Sequence, residues 1–175
     1  MKFRLAVWVV AVVVFAVDYV TKLWAIHALS DGHTIDLVGS HLTLKLVYNE
    51  GAALSIFGHF GIGITIVMFL VILVLLWFHG RAANLYSVVV FGAALGGAVG
   101  NFYDRMIRGL GWGRGPVVDM IKYGDFFIGN VADIAIVCAA AATIVASWRG
   151  IPMLTPRKVD ADESGDGKAG EPSGE

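Results

Sequence analysis

Charge is scarce in this chain. Of its 175 residues only 15% are Asp, Glu, Lys or Arg, while 57% are hydrophobic. Soluble domains carry about a quarter charged residues, so the balance points to a membrane protein. The net charge is −1, and without a basic excess no nucleic-acid partner is expected. There is one cysteine, Cys138, so no disulfide can form within the chain. Set in an apolar run, that thiol reads as a small hydrophobe. The five histidines show no H-E-x-x-H or Cys/His ligand spacing, so neither a metal site nor a cofactor is expected.

Long apolar runs are plentiful. After a basic start, MKFR, residues 5–28 form one run broken only by Asp18 and Lys22. A signal peptide is the rival reading. The run is long for an h-region and holds two charges, so a retained transmembrane helix is preferred. Residues 62–78, 85–102 and 131–148 supply three further spans. The expected fold is a membrane all-α bundle of four transmembrane helices with a small extracytoplasmic β-rich cradle.

That cradle is expected in residues 29–61, too polar to span, where HLTLKLVY at 41–48 partly alternates apolar and polar residues. HGR at 79–81 reads as a tight connection, and residues 106–129, Gly-rich near GLGWGRGP, as a second non-spanning one. Residues 1–151 make the membrane domain. Residues 152–175 are rich in Pro, Gly, Ser and acid, and read as a disordered cytoplasmic tail. Asp160, Asp162, Ser164, Gly165 and Glu171 mimic a calcium-loop spacing there, but the flanking helices of such a site are missing.

Four spans put both termini on one side. Lys and Arg are almost evenly divided between the two sides. The flank of the first helix favours a cytoplasmic N-terminus, which leaves residues 29–61 and 106–129 outside.

Three carboxylates, Asp119, Asp125 and Asp133, fall in the stretch 117–133 before the last span. Asp125 follows Gly124 and reads as a turn residue. Asp119 and Asp133 have apolar neighbours, and a carboxylate so placed near lipid is costly unless it has a function. Residue logic leaves alternatives open. Asp133 stands three residues after Asn130, where a capping-box acid belongs, and Asp119 could end a surface strand with its oxygens in water. As a pair they could share a proton, one acting as base and one as acid on an amide. Ser55 and Cys138 sit in no constellation for covalent catalysis.

Asp18 and Lys22 are four apart, share a helix face and read as a structural ion pair. Gly92, Gly96 and Gly100 form a small-residue stripe for close helix packing; a nucleotide fingerprint, G-x-G-x-x-G, is absent. Asn101, Asp104 and Arg105 follow, with an Asp104–Arg105 pair anchoring the loops as the expected role.

Taken in order, these residues resemble the lipoprotein signal peptidase (signal peptidase II) family of bacterial membrane aspartyl peptidases. DYVTK at 18–22 matches its first-helix block, and NEGAAL at 49–54 its N-x-G-A-A-F, with Leu54 for Phe. GGAVGNFYDR at 96–105 fits G-G-A-x-G-N-x-x-D-R. VVDM at 117–120 fits V-V-D-F, with Met120 for Phe. NVADIAI at 130–136 fits N-x-A-D-x-x-I, with Gly129 before it where Phe is usual.

The resemblance implies that Asp119 and Asp133 are the catalytic dyad. It makes Asn49, Asn101, Arg105 and Asn130 a polar shell around dyad and substrate, with Asp18, Lys22 and Asp104 as structural support. It implies a bacterial inner-membrane enzyme, working as a monomer among membrane lipids. Its substrates would be diacylglyceryl-modified prolipoproteins, cut on the amino side of the lipidated Cys near the extracytoplasmic surface. The Gly-rich connection would be a lid. Two rivals stand beside it: a small proton or cation transporter using the same carboxylates, and a membrane scaffold.

Overall fold

A computed structural model describes residues 2–51, 61–109 and 111–156. Ala52, Ala53, Leu54, Ser55 and the tail at 157–175, with its calcium-loop mimic, lie outside the described residues. The elements run α1 (Lys2–Ala28), β1 (Thr34–Val38), β2 (Leu42–Asn49), α2 (Gly61–Phe78), α3 (Leu85–Ile107), β3 (Val117–Tyr123), β4 (Phe127–Gly129) and α4 (Val131–Trp148). All four helices are long and apolar enough to cross a bilayer.

The centre of the bundle is α3. Over its most apolar stretch 56% of residues are buried, against 11–17% for the other three helices, whose apolar residues face outward as lipid-facing ones do. Glycine makes this centre possible. A methyl group on Gly92 would lie 2.5 Å from Val10 Cβ, one on Gly96 2.9 Å from Val14 Cβ, and one on Gly100 2.5 Å from Asp18 Oδ2. The stripe therefore seats α1, while Gly97 on another face admits the Ala132 carbonyl of α4, 2.7 Å from where its Cβ would stand.

One antiparallel sheet, in the order β1-β2-β3-β4, covers one end of the bundle. Its inner residues Met120, Leu44 and Leu46 pack against Ala25 and Leu29 near the end of α1. Half of this sheet comes from residues 106–129, read from sequence as a bare connection. Because both non-spanning regions join one sheet, they lie on the same side of the membrane. At the other end, Thr155 N–H donates to Arg81 O (2.8 Å) and Asn84 Nδ2 to Pro152 O (2.8 Å). Residues 151–156, the described start of the expected tail, are thus tied to the α2–α3 connection.

Two expectations need correction. Helix α3 runs to Ile107, five residues past the expected 102, so Asn101, Asp104 and Arg105 belong to its last turns. Polar side chains do not end a helix when each finds a partner inside the bundle. The expected Asp104–Arg105 pair is replaced as well. Asp104 Oδ1 pairs with Arg108 Nε at 2.6 Å and Oδ2 with Lys22 Nζ at 3.0 Å, because residues one apart on a helix diverge and those four apart meet.

Candidate active site

The strand register brings the first two site residues together. Val47 pairs with Asp119 and Asn49 with Val117 across β2 and β3. Residues two apart on a strand share a face, so Asn49 is the diagonal neighbour of Asp119. Between Leu44 and Val47 the register shifts by one residue; without that bulge Asn49 would point to the opposite face. Asn49 Nδ2 donates to Asp119 Oδ2 at 2.8 Å.

The start of α4 brings the second carboxylate. Asn130 is its N-cap: the side-chain Oδ1 accepts from Asp133 N–H (3.0 Å), and Asp133 Oδ2 accepts from Asn130 N–H (3.1 Å). The capping-box reading of Asp133 is therefore correct, but it is only half of what the residue does. Asn130 Nδ2 also donates to Asp119 Oδ1 (2.7 Å), and Asn101 Nδ2 donates to Asp133 Oδ1 (2.7 Å). One residue, Asn130, thus hydrogen-bonds both carboxyls. The surface-acid reading of Asp119 is ruled out by its 1% exposure.

Each amide is oriented by a group that can only donate. Asn101 Oδ1 faces the Lys22 ammonium at 2.8 Å, Asn130 Oδ1 the Asp133 N–H, and Asn49 Oδ1 the Gly51 N–H at 2.8 Å. The NH2 end of every one must then point at Asp119 or Asp133.

Beneath lies a buried ionic node. Lys22 Nζ meets Asp18 Oδ2 at 2.7 Å and Asp104 Oδ2 at 3.0 Å. Asp18 Oδ1 accepts from Ala132 N–H (2.9 Å), and Asp104 Oδ2 from Val118 N–H (3.1 Å). The node therefore bolts α1 to α4 and α3 to β3, next to both catalytic candidates. Arg105 is buried, with Nη1 3.5 Å from Gly115 O. Asp125 is fully exposed in the β3–β4 turn and pairs with Lys122 (3.1 Å).

Burial pushes the Asp119 carboxyl up to about 6; Asp133 adds to the rise, and the hydrogen bonds from Asn49 and Asn130 oppose it. Asp133 is less enclosed. It lines a cavity of about 380 Å³ whose other walls are Tyr123, Phe127, Asn130, Ile134, Val137 and Cys138. Among the described residues no cluster of His, Cys, Asp and Glu could hold a metal ion. The arrangement is two carboxyls, one buried and raised, one at an apolar trough, held by shared donors. Such a site suits acid–base hydrolysis.

The model of a protein family described as Signal peptidase (SPase) II matches residues 10–149. The chain belongs to the signal peptidase II family. It is 36% identical over 162 residues to the lipoprotein signal peptidase of Bifidobacterium adolescentis, covering 92% of this chain and 84% of that one. With the lipoprotein signal peptidase of Mycobacterium avium the identity is 36% over 158 residues, covering 90% and 87%. A solved structure described as a bacterial membrane enzyme, determined by the in meso method at 1.9 Å resolution, superposes with a TM-score of 0.69 at 28% identity, covering 79% of this chain and 90% of that one. These likenesses make the chain an aspartyl-type membrane peptidase and give the transporter reading no support.

Two departures from the signal peptidase II pattern have a physical account. A Cβ on Gly129 would lie 2.5 Å from Phe127 Cε1 and 2.8 Å from Asp133 Oδ2. The Phe127 ring already occupies that side, so a larger residue at 129 does not fit. Met120 is buried against Ala25 and Leu29, where a flexible thioether fills the core. The Gly-rich connection is held at several points: Thr65 Oγ1 donates to Gly113 O (2.6 Å) and Gly115 N–H to Arg105 O (3.0 Å). Arg108 went unnoticed in the sequence, although its spacing of four from Asp104 was the available signal.

Proposed function

We propose that Asp119 and Asp133 together activate the water with which this signal peptidase II removes signal peptides from prolipoproteins. The observation that carries this reading is Asn130, whose side-chain amide binds Asp119 and whose backbone N–H binds Asp133.

The two carboxyls have different roles. Asp133 sits in the first turn of α4, where the helix dipole favours an anion, and it opens to the trough. It is the base. Asp119, enclosed and raised to about 6, keeps the shared proton and is the acid. Asp133 removes a proton from water as its oxygen attacks the scissile carbonyl, and Asp119 gives its proton to the carbonyl oxygen. In the gem-diol that results, Asp133 returns its proton to the leaving nitrogen and the C–N bond breaks. Asp119 recovers a proton from a diol hydroxyl, and the dyad is back in its starting state. Arg105 and Asn49 lie beside Asp119 to orient the substrate amide.

The substrate is a prolipoprotein carrying diacylglycerol on the Cys that follows the cut. The apolar trough along Ile134, Val137 and Cys138 receives an apolar segment of it. The sheet end of the bundle faces outward and both termini are cytoplasmic, as the basic N-terminal flank favours. Residues 1–151 form the peptidase domain and residues 152–175 a tail outside the chemistry. The enzyme acts as a monomer.

The test uses the purified protein in detergent and a lipidated prolipoprotein peptide. Cleavage before the lipidated Cys is expected, with none before an unlipidated Cys. Turnover by either Asp119→Asn or Asp133→Asn near the parental rate would refute the dyad. A scaffold instead predicts lower abundance with unchanged processing.

A further inference from the structure

The dyad rests on an ion cluster whose charges close to zero only in one protonation state. Lys22, Arg105 and Arg108 face Asp18, Asp104, Asp119 and Asp133. Three cations balance four carboxyls when the dyad holds a single proton. Lys22 is central to this balance. It is 1% exposed, and its ammonium meets three oxygens: Asp18 Oδ2 and Asp104 Oδ2 as ion pairs and Asn101 Oδ1 as a hydrogen bond. An ammonium saturated in this way could be purely structural. The third acceptor argues otherwise, because the same Asn101 amide hands its N–H to Asp133 Oδ1 at 2.7 Å.

We propose that Lys22 is a positioning residue for catalysis: through Asn101 it directs negative charge to Asp133, and so decides which of the two carboxyls carries the shared proton. This rests on the dyad reading given above. An amide whose oxygen is bound by a cation is a stronger donor from its nitrogen, and a cation nearby favours the ionised form of a carboxyl. Asp119 receives only neutral amide donors, from Asn49 and Asn130. Lys22 meets Asp18 from α1 and Asp104 from α3, and its charge acts on Asp119 as well as Asp133; Asp133 faces Asp119 from β3, while Arg108 is held by Asp104 and Arg105 lies towards Asp119. Only Lys22 among the cations reaches Asp133 through a single shared side chain in the bonds described.

The test is the pH–rate profile of Lys22→Met/Asp18→Asn, which removes one charge of each sign and leaves the Ala132 N–H an acceptor at position 18. The expected result is a folded protein with KM within about twofold of the parent, kcat lower by about tenfold or more, and the acid limb moved up by about one pH unit. The limb moves up because the base loses the cation that kept it ionised. Both limbs at their parental pH, whatever the rate, would overturn the proposal and leave Lys22 a structural ion. Should the double variant not accumulate, Asn101→Ser carries the test, since it cuts the relay and keeps the ion pair. The same upward shift is expected, and an unmoved limb overturns the idea. Asp119→Asn and Asp133→Asn are assayed in parallel. Activity in either sinks the dyad itself, whereas two inactive Asn variants with an unmoved limb sink only the role of Lys22.

Discussion

Helices α1 and α2 both span and both pack on α3, yet they do different work. Only 11% of the most apolar stretch of α2 is buried, its mean hydropathy is 2.7, and it holds no charged residue. It is a wall between α3 and lipid. Helix α1 is also mostly lipid-facing, but it buries Asp18 and Lys22 completely against α3 and α4. The difference lies in the surface each meets. The glycine stripe of α3 faces α1 and brings it close enough for the two ions to be paired and shielded from lipid. A buried ion pair seldom adds net stability over well-packed apolar residues. That α1 keeps one next to Asp119 and Asp133 accords with the proposed role in setting the charge there.

The comparison can be broken at several strengths. The largest effect is expected on the polar side, where Asp119→Asn and Asp133→Asn should each lower kcat by at least about 10³-fold, measured with a lipidated peptide at constant detergent. Next, Gly100→Leu should force α1 away from α3, since even a methyl there would meet Asp18 Oδ2 at 2.5 Å. A loss of roughly 1–3 kcal/mol or more is expected, seen as a lower melting temperature together with lost activity. Asn130→Ala removes the side-chain cap of α4, which costs about 1 kcal/mol, and the amide bond to Asp119 Oδ1, while the backbone N–H to Asp133 stays. Its fall in kcat should therefore greatly exceed what its small change in melting temperature suggests.

Titration gives a smaller and opposite effect. Asp119 ionises near 6 in the fold, against 3.8 unperturbed, so the unfolded chain binds fewer protons between those values and stability falls as pH rises through that window. Asp119→Asn lacks this penalty. It should melt at about the same temperature as the parent below pH 4 and above it at pH 7, by an amount equivalent to about 3 kcal/mol or less. The parental rate should in turn decline as pH rises past about 6, where the dyad loses its proton; the limb belongs to the pair. On the apolar side almost nothing should happen. Exchanging exposed Val67, Leu70 or Val74 of α2 for another aliphatic residue should change turnover less than about twofold. A large loss there would show α2 to be more than a wall.

Much of this was legible in the chain. The spans followed from apolar runs, because length and hydropathy alone decide what can cross a bilayer. The end of α4 and the cap at its start came out to the residue, since N-cap chemistry is local. The end of α3 did not: Asn101, Asp104 and Arg105 look like a boundary until their buried partners are known. Strands β3 and β4 were harder to read, because β3 buries its first four residues in a row and so shows no alternation, and β4 is only three residues long.

By itself, then, the sequence determined four membrane crossings, the presence of costly carboxylates at 119 and 133, and, through its ordered blocks, the family. Periodicity, desolvation cost and local capping are enough for that. Only the tertiary structure decided that Asn130 joins the two carboxyls, that a one-residue bulge turns Asn49 towards Asp119, and that Lys22 reaches Asp133 through Asn101. Those contacts span up to 79 residues of chain, and no local pattern encodes them. They exist because glycine lets α1 approach α3, and because a buried polar group must find a partner wherever the fold supplies one. The stretch 117–133 carries the two acids; α1, α3 and β2 make them one site.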